Sequence, residues 1–247
     1  MNINKYLPHD SISPNILIDP EHLEYPGFSG TGFFCYLSAY EIFFYVTAKH
    51  CIKEPENTIL AINYGPELEE IIEIDEILTT STEETNELED VLIFVISSNI
   101  SNIKKSILKK RSLPLPPQDI TNSLINILCE DNQKVRTLGF PKYDKNTEIN
   151  YETNINKFQT RAFYGYIKNN SKENNRYAIE ELNWSDGDYN GFSGSPVIAL
   201  PKASINQKVY VVIIGMILTA GNKRCEFLSI NIITNAIFNY INNKVNT

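Results

Sequence analysis

Long hydrophobic runs are missing from this chain of 247 residues. None approaches the roughly 18 consecutive apolar residues that would mark a membrane-spanning helix. The first 26 residues have no continuous apolar core and carry acids and prolines instead, so they do not read as a secretory signal. The expected location is therefore cytoplasmic, with no membrane partner. Cysteine is scarce. Cys35, Cys51, Cys129 and Cys225 form no CxxC pair, which argues against a zinc site, and a reducing compartment favours four free thiols. Positive charge is in deficit too: 22 Lys and Arg stand against 30 Asp and Glu, a net charge of −8. Such a surface suits phosphate backbones poorly, so no nucleic-acid partner is expected. Neither a metal nor any other cofactor is called for.

What is present is a soluble globular composition, 42% hydrophobic and 21% charged, in a chain long enough for one large β domain or two small ones. Short apolar or alternating runs broken by turn residues fill it: "GTGFFCYL", "EIFFYVTA", "TILAINY", "EIIEIDEIL" and "DVLIFVIS", then "KVRTLGFPK", "TRAFYGYIK", "RYAIEEL", "SPVIAL", "KVYVVIIGMIL" and "CEFLSI". Between the two series lies "SNISNIKKSILKKRSLPLPPQD", with Pro114, Pro116 and Pro117 and a basic cluster at Lys104, Lys105, Lys109, Lys110 and Arg111. It reads as a connector with a solvated face. One helix is clear at the end, where Ile232, Ile233, Ala236, Ile237, Tyr240 and Ile241 recur at helical spacing behind Ser229 or Asn231 as N-cap. The predicted fold is all-β: two six-stranded antiparallel barrels with the active site between them and a C-terminal helix. The expected division is a polar leader over 1–26, a first barrel over 27–100, a linker over 101–120, a second barrel over 121–230 and the helix over 231–247.

Three histidines are available. His9 and His22 sit in the polar leader and read as surface residues. His50 directly follows the apolar run "FFYVTA", where a buried strand runs out. Asp90 heads another apolar run, "DVLIFVI"; a carboxylate there is either exposed or hydrogen-bonded. Glu89 competes with it, but only Asp90 abuts the apolar run. The tetrapeptide GFSG occurs twice, at Gly27–Gly30 and Gly191–Gly194. In the second copy, Gly191 and Gly194 permit a sharp turn that can aim the N–H groups of Gly191 and Ser193 at one point. A serine needs a base, and the base an orienting acid. His50, Asp90 and Ser193 stand in the order His, Asp, Ser, with the first two in one half and the third in the other. That order places a site in a cleft between halves.

With these motifs the chain resembles the trypsin/chymotrypsin-fold serine proteases. "TAKHC", "EDVLIFVI" and "GFSGSPV" are similar to that family's histidine, aspartate and nucleophile segments. "GTGFF", "TLGFPK", "VVIIGMILTAG" and "FLSINIITNAI" resemble flanking elements, so the likeness runs over about 27–245. The resemblance implies a peptide hydrolase in which His50 is the base, Asp90 orients it, Ser193 attacks, Gly191 and Ser193 form the oxyanion hole, and Leu218, Thr219 and Ala220 hold the substrate as an added strand. It also implies that Cys35 and Cys51 occupy the positions of the family's histidine-loop disulfide; reduced neighbours are expected. Phe192 replaces the Asp that binds a new N-terminus in animal digestive members, so the pattern is closer to bacterial, HtrA-like members, here without a PDZ domain. Stripped-down bacterial relatives of this kind act in anti-phage (antiviral) defence, switched on by a sensor to cut a partner protein. The expected partners are thus a protein or peptide substrate and an activating protein. A catalytically silent binding module on the same fold is the alternative. Asp186 and Asp188 precede the nucleophile near the expected specificity pocket, and Ile217 and Leu218 line it; no P1 preference follows.

Overall fold

The computed structural model describes residues 7–245 apart from 22–25, 38, 66–67, 81–88, 151–154, 170, 172–173, 186–187, 202–209 and 222. His22, Asp186 and most of the acidic stretch before Asp90 lie outside the described residues.

Apolar runs become strands. The first half holds β1 (Ile12–Ile18), β2 (Gly27–Leu37), β3 (Ile42–Thr47), β4 (Ile59–Leu60), β5 (Asn63–Gly65), β6 (Leu68–Ile71), β7 (Ile74–Leu78), β8 (Leu92–Ile96) and β9 (Leu113–Pro114). Seven of them form one sheet in the order β4-β1-β2-β3-β8-β7, with β9 added in parallel beside β2. β8 is buried along its whole length, and that is why its sequence, LIFVI, does not alternate. The second half holds β10 (Lys134–Gly139), β11 (Glu148–Asn150), β12 (Ile155–Lys157), β13 (Arg161–Lys168), β14 (Arg176–Glu180), β15 (Pro196–Ala199), β16 (Val212–Gly221) and β17 (Arg224–Ser229). Six of these close a barrel, β10-β13-β14-β17-β16-β15, while β11 and β12 pair with each other. In β13, Phe163, Gly165 and Ile167 are buried and alternate with partly exposed neighbours, as a half-buried strand requires.

The architecture is the expected one of two β units and a C-terminal helix. The halves differ in closure: the second is a closed six-stranded barrel, and the first is a half-barrel. Three helices cover them: α1 (Asn102–Arg111), α2 (Gln118–Glu130) and α3 (Ile230–Val245). Ser229 stands at the N-cap of α3 and accepts from the Asn231 N–H at 3.4 Å. α3 buries Ile230, Ile233, Ile237 and Ile241 in the core that fills the first half. Tyr240 and Lys244 reach across to Glu76 on β7, at 3.1 and 2.6 Å. The last element of the chain thus braces the first half.

Two expected boundaries change. The segment read as a polar leader supplies β1, paired with both β2 and β4. Its proline disguised it: Pro14 sits beside a register shift, where a missing N–H is tolerated. The segment read as a linker is folded. Ser101 caps α1 by accepting from the Lys104 N–H at 3.3 Å, and the basic residues gather in its last turn, which suits the helix dipole. Lys104 pairs with Glu70 at 2.6 Å. Arg111 donates to the carbonyls of Asp10 and Asn63 at 2.9 and 2.8 Å and lies over the Phe34 ring. Part of that basic face is a tie to the first sheet. The second barrel begins at Lys134, after α2.

The cysteines are also placed differently. All four are unbridged. A Cβ built on Gly30 would run into Cys51 Sγ, so Gly30 is the residue opposite Cys51. Cys35 lies five residues further along β2, roughly 16 Å at strand rise, beyond the reach of a disulfide to Cys51.

Phe192 sits in the second core, wholly buried, with ring centroids 4.9 Å from Phe163 and 5.2 Å from Trp184. Phe192→Ala is expected to lower stability by about 3–5 kcal/mol, measured by urea unfolding. A loss below about 1 kcal/mol would show that the ring does not anchor its turn.

Candidate functional site

Adjacent strands bring the first two residues together. β3 and β8 are paired, with Thr47 opposite Leu92. His50 lies in a short 3-10 turn just beyond β3, and Asp90 lies just before β8. The His50 ring donates from Nδ1 to Asp90 Oδ2 at 2.6 Å, and the His50 backbone N–H donates to Asp90 Oδ1 at 2.9 Å. The carboxylate therefore holds both the ring and the main chain of one residue. Nδ1 is occupied, and Nε2 is the nitrogen left for chemistry. The hydrogen bond to Asp90, helped by the Cys51 side chain, raises the imidazole from its ordinary 6.5 to about 10. Burial pushes the Asp90 carboxyl up, but its bonds to His50 outweigh this and leave it below the ordinary range. Glu89, the neighbouring acid, is buried and turns instead to Arg176 on β14, at 3.5 Å.

Ser193 sits in a tight turn between the loop after β14 and β15. Gly191 has φ +97° and Gly194 φ +85°, values open to glycine and costly for other residues. The Phe192 N–H donates to Tyr189 O at 3.1 Å, the Ser195 N–H to Phe192 O at 2.9 Å, and the Gly194 N–H to Ile217 O at 2.8 Å. Among the described residues, the N–H groups of Gly191 and Ser193 have no partner. The direction of the first is set by its peptide plane. The Asn190 carbonyl accepts from the Lys142 N–H at 2.8 Å, and in a trans peptide the Gly191 N–H points the opposite way. The Ser193 hydroxyl donates to the Leu218 carbonyl at 3.0 Å.

His50, Gly191 and Ser193 line one cavity of about 240 Å³, together with Ser29, Cys51 and Tyr143. It adjoins a larger groove of about 950 Å³ that shares Phe28, Ser29, His50, Cys51 and Lys142. Leu218, Thr219 and Ala220 lie on β16. β15 pairs with β16 only as far as Met216, while β17 covers its other side through Ala220 and Gly221. A bulge between Ile217 and Thr219 sets Leu218 apart. The stretch from Leu218 to Ala220 is thus a sheet edge beside Ser193. Asp188 is exposed and caps its own loop, accepting from the Asn190 backbone and side chain at 3.1 and 2.8 Å.

The first GFSG copy also reaches the site. Ser29 lines the same cavity, and the Thr31 N–H donates to the Ser193 carbonyl at 2.9 Å. Thr31 also donates from Oγ1 to the Gly191 carbonyl at 2.7 Å. Sequence reasoning missed Thr31, because a buried threonine in an apolar strand carries no local sign of what it touches. The flanking "GTGFF" likeness was the only pointer to it.

No family model matches the chain, and no curated protein matches it. Solved structures do. Human heparin binding protein, a serine-protease homologue, aligns with a TM-score of 0.57 at 12% identity, over 95% of this chain and 92% of that one. A mutant of the same human protein gives 0.52 at 12% identity, over 95% and 92%. A serine protease of human pathogenic astrovirus gives 0.41 at 13% identity, over 90% of both chains. The heparin binding protein likeness shows the trypsin/chymotrypsin fold and, at this identity, the fold alone.

The His50–Asp90 pair is directly testable. An NMR titration of the His50 ring is expected to give a midpoint well above 6.5, and Asp90→Asn is expected to bring it back to that range. A wild-type midpoint at or below 6.5 would contradict the ion pair.

Proposed function

We propose that the chain is a serine endopeptidase acting through an acyl-enzyme. The observation that carries this reading is a single cavity shared by an Asp90-held imidazole and by a serine whose turn leaves two N–H groups unpaired. In the proposed reaction Ser193 Oγ attacks the scissile carbonyl carbon while His50 Nε2 takes its proton. The carbonyl oxygen becomes an oxyanion held by the N–H groups of Gly191 and Ser193. The C–N bond then breaks, and the amine leaves with the proton from His50. Water repeats the sequence on the ester and regenerates Ser193. Leu218, Thr219 and Ala220 hold the acyl side of the substrate as an added antiparallel strand. The leaving side extends into the larger groove.

The resting geometry supports low activity before a substrate or partner arrives. The Ser193 hydroxyl is turned to Leu218, and Asp90 raises the His50 pKa, which favours the protonated ring over the free base. An activating partner and a role as a bacterial defence effector rest on the sequence resemblance, and a cytoplasmic setting on the absence of a signal-like segment in the first 26 residues. The bond to Leu218 is also the one observation that favours the alternative, a silent binding module. The heparin binding named for the human neighbour is not proposed here, since a chain of net charge −8 repels a polyanion.

A fluorophosphonate probe is expected to label wild-type protein at Ser193 and not Ser193→Ala. The rate should climb from pH 7 into the alkaline range as His50 loses its proton. New N-termini in cells expressing wild type but not Ser193→Ala would identify the bond cut. No labelling at any pH, with or without cell extract, would favour the silent module.

A further inference from the structure

The oxyanion turn is held from outside its own barrel. Thr31, on β2 of the first half, is fully buried and uses all three of its polar groups there. Its N–H donates to Ser193 O at 2.9 Å. Its hydroxyl donates to Gly191 O at 2.7 Å and accepts from the Phe140 N–H at 2.9 Å. Its carbonyl accepts from Thr47 Oγ1 at 2.8 Å. Thr47 in turn accepts from Asn15 Nδ2 at 2.9 Å, and Asn15 Oδ1 accepts from the Tyr45 hydroxyl at 2.8 Å. Tyr45, Asn15 and Thr47 are all buried. The Tyr45 hydroxyl also lies 3.1 Å from the Ser13 carbonyl; with its proton on the nearer Asn15 Oδ1, the bonds run one way from Tyr45 through Asn15 and Thr47 to the Thr31 carbonyl. Hydrogen bonds aligned in this manner polarise and stiffen one another.

We propose that Thr31 is the positioning residue of the oxyanion hole, and that the buried Tyr45–Asn15–Thr47 relay holds it in place. The proposal rests on the serine-peptidase reading for its catalytic consequence, but its structural part stands independently. Gly191 is the pivot of the turn. Its φ of +97° places it where backbone freedom is greatest. Two peptide planes flank it. The preceding one is fixed by the bond from Lys142 to the Asn190 carbonyl. The following one is fixed by the Thr31 hydroxyl on the Gly191 carbonyl. With both planes fixed, the Gly191 N–H has one direction before any substrate arrives, which is what preorganised stabilisation of an oxyanion requires. Thr31 touches no reacting atom, so its effect is confined to geometry. Asn15 lies on β1, so the N-terminal strand becomes part of the catalytic apparatus.

The test compares Thr31→Val with Thr31→Ser. Valine keeps the shape and removes the hydroxyl, whereas serine keeps the hydroxyl. Against a fluorophosphonate, Thr31→Val is expected to lower the maximal inactivation rate roughly 10–100-fold, in line with a misplaced oxyanion donor. The half-saturating probe concentration should stay within about 3-fold, and Thr31→Ser should return the rate to within about 3-fold of wild type. A second readout needs no catalysis. The Cys51 thiol, nearly buried, donates to the Ser193 carbonyl at 3.7 Å, so a loosened turn should make Cys51 react with iodoacetamide several-fold faster in Thr31→Val, while the half-buried Cys129 serves as internal reference. Wild-type rates in Thr31→Val, or Thr31→Ser as slow as Thr31→Val, would overturn the proposal. So would a Thr31→Val chain that fails to fold by circular dichroism, because Thr31 would then hold the fold and not the turn. If the wild type is not labelled, the peptidase reading fails and the Cys51 rate alone decides the Thr31 assignment: faster alkylation upholds it, and an unchanged rate overturns it.

Discussion

The seam between the two halves is packed backbone against backbone. Across it, a Cβ on Gly194 would collide with the Thr31 carbonyl and one on Gly30 would press on the Ser193 carbonyl; within the second half, one on Gly191 would collide with the Phe140 carbonyl. Only bare main chain fits. The close approach lets Thr31 bond directly to both Gly191 and Ser193, and it brings Ser193 from the second barrel into the cavity that His50 lines from the first. A side chain at Gly30 or Gly194 would press the halves apart and move Ser193 away from His50. Gly30, Gly191 and Gly194 carry the further demand of positive φ. The two requirements, space and dihedral, fall on the same residues.

Around this seam the charges are arranged in pairs. Asp90 binds the ring and the amide of His50, and Arg176 from the second barrel reaches Glu89 beside it. The two acids at the head of β8 are thereby divided: one belongs to the site and the other to the contact between halves. The carboxylate favours the protonated form of the imidazole and so raises its pKa. The serine hydroxyl is satisfied by the Leu218 carbonyl. That carbonyl stands on a sheet edge, so an added strand there would compete with the serine for the same acceptor. The turn itself is anchored from beneath by apolar contact, with Phe192 among Phe163 and Trp184. A hydrophobic anchor needs no charge partner to hold the turn.

Much of this was legible in the chain. The strands of the second barrel follow from alternation in β13 and from apolar runs elsewhere, because a sheet face imposes a period of two on the sequence. The terminal helix follows from its isoleucines. His50, Asp90 and Ser193 stood out as polar residues at the ends of apolar runs or between glycines, and the fold now shown places all three around one seam. Less legible were β1 and α1. The first carries a proline at a bulge, and the second is short and basic, so neither shows the periodicity by which such elements are recognised. The expected cysteine pair failed for a related reason. Spacing along the sequence matched, but Cys35 runs off along β2 while Gly30 faces Cys51.

The sequence alone determined the fold class, the order of His50, Asp90 and Ser193 and the glycines of the Ser193 turn, since these depend on local patterning and on residue type. Tertiary structure decided what each polar group touches: Asp90 on His50 and Glu89 on Arg176, Ser193 on Leu218, and Thr31 on Gly191. These partners lie 25 to 160 residues apart in the chain or, for Glu89 and Asp90, differ by one position with opposite roles. A buried hydroxyl or carboxylate must find a partner, but which partner it finds is set by how the halves close on each other, and no local pattern records that.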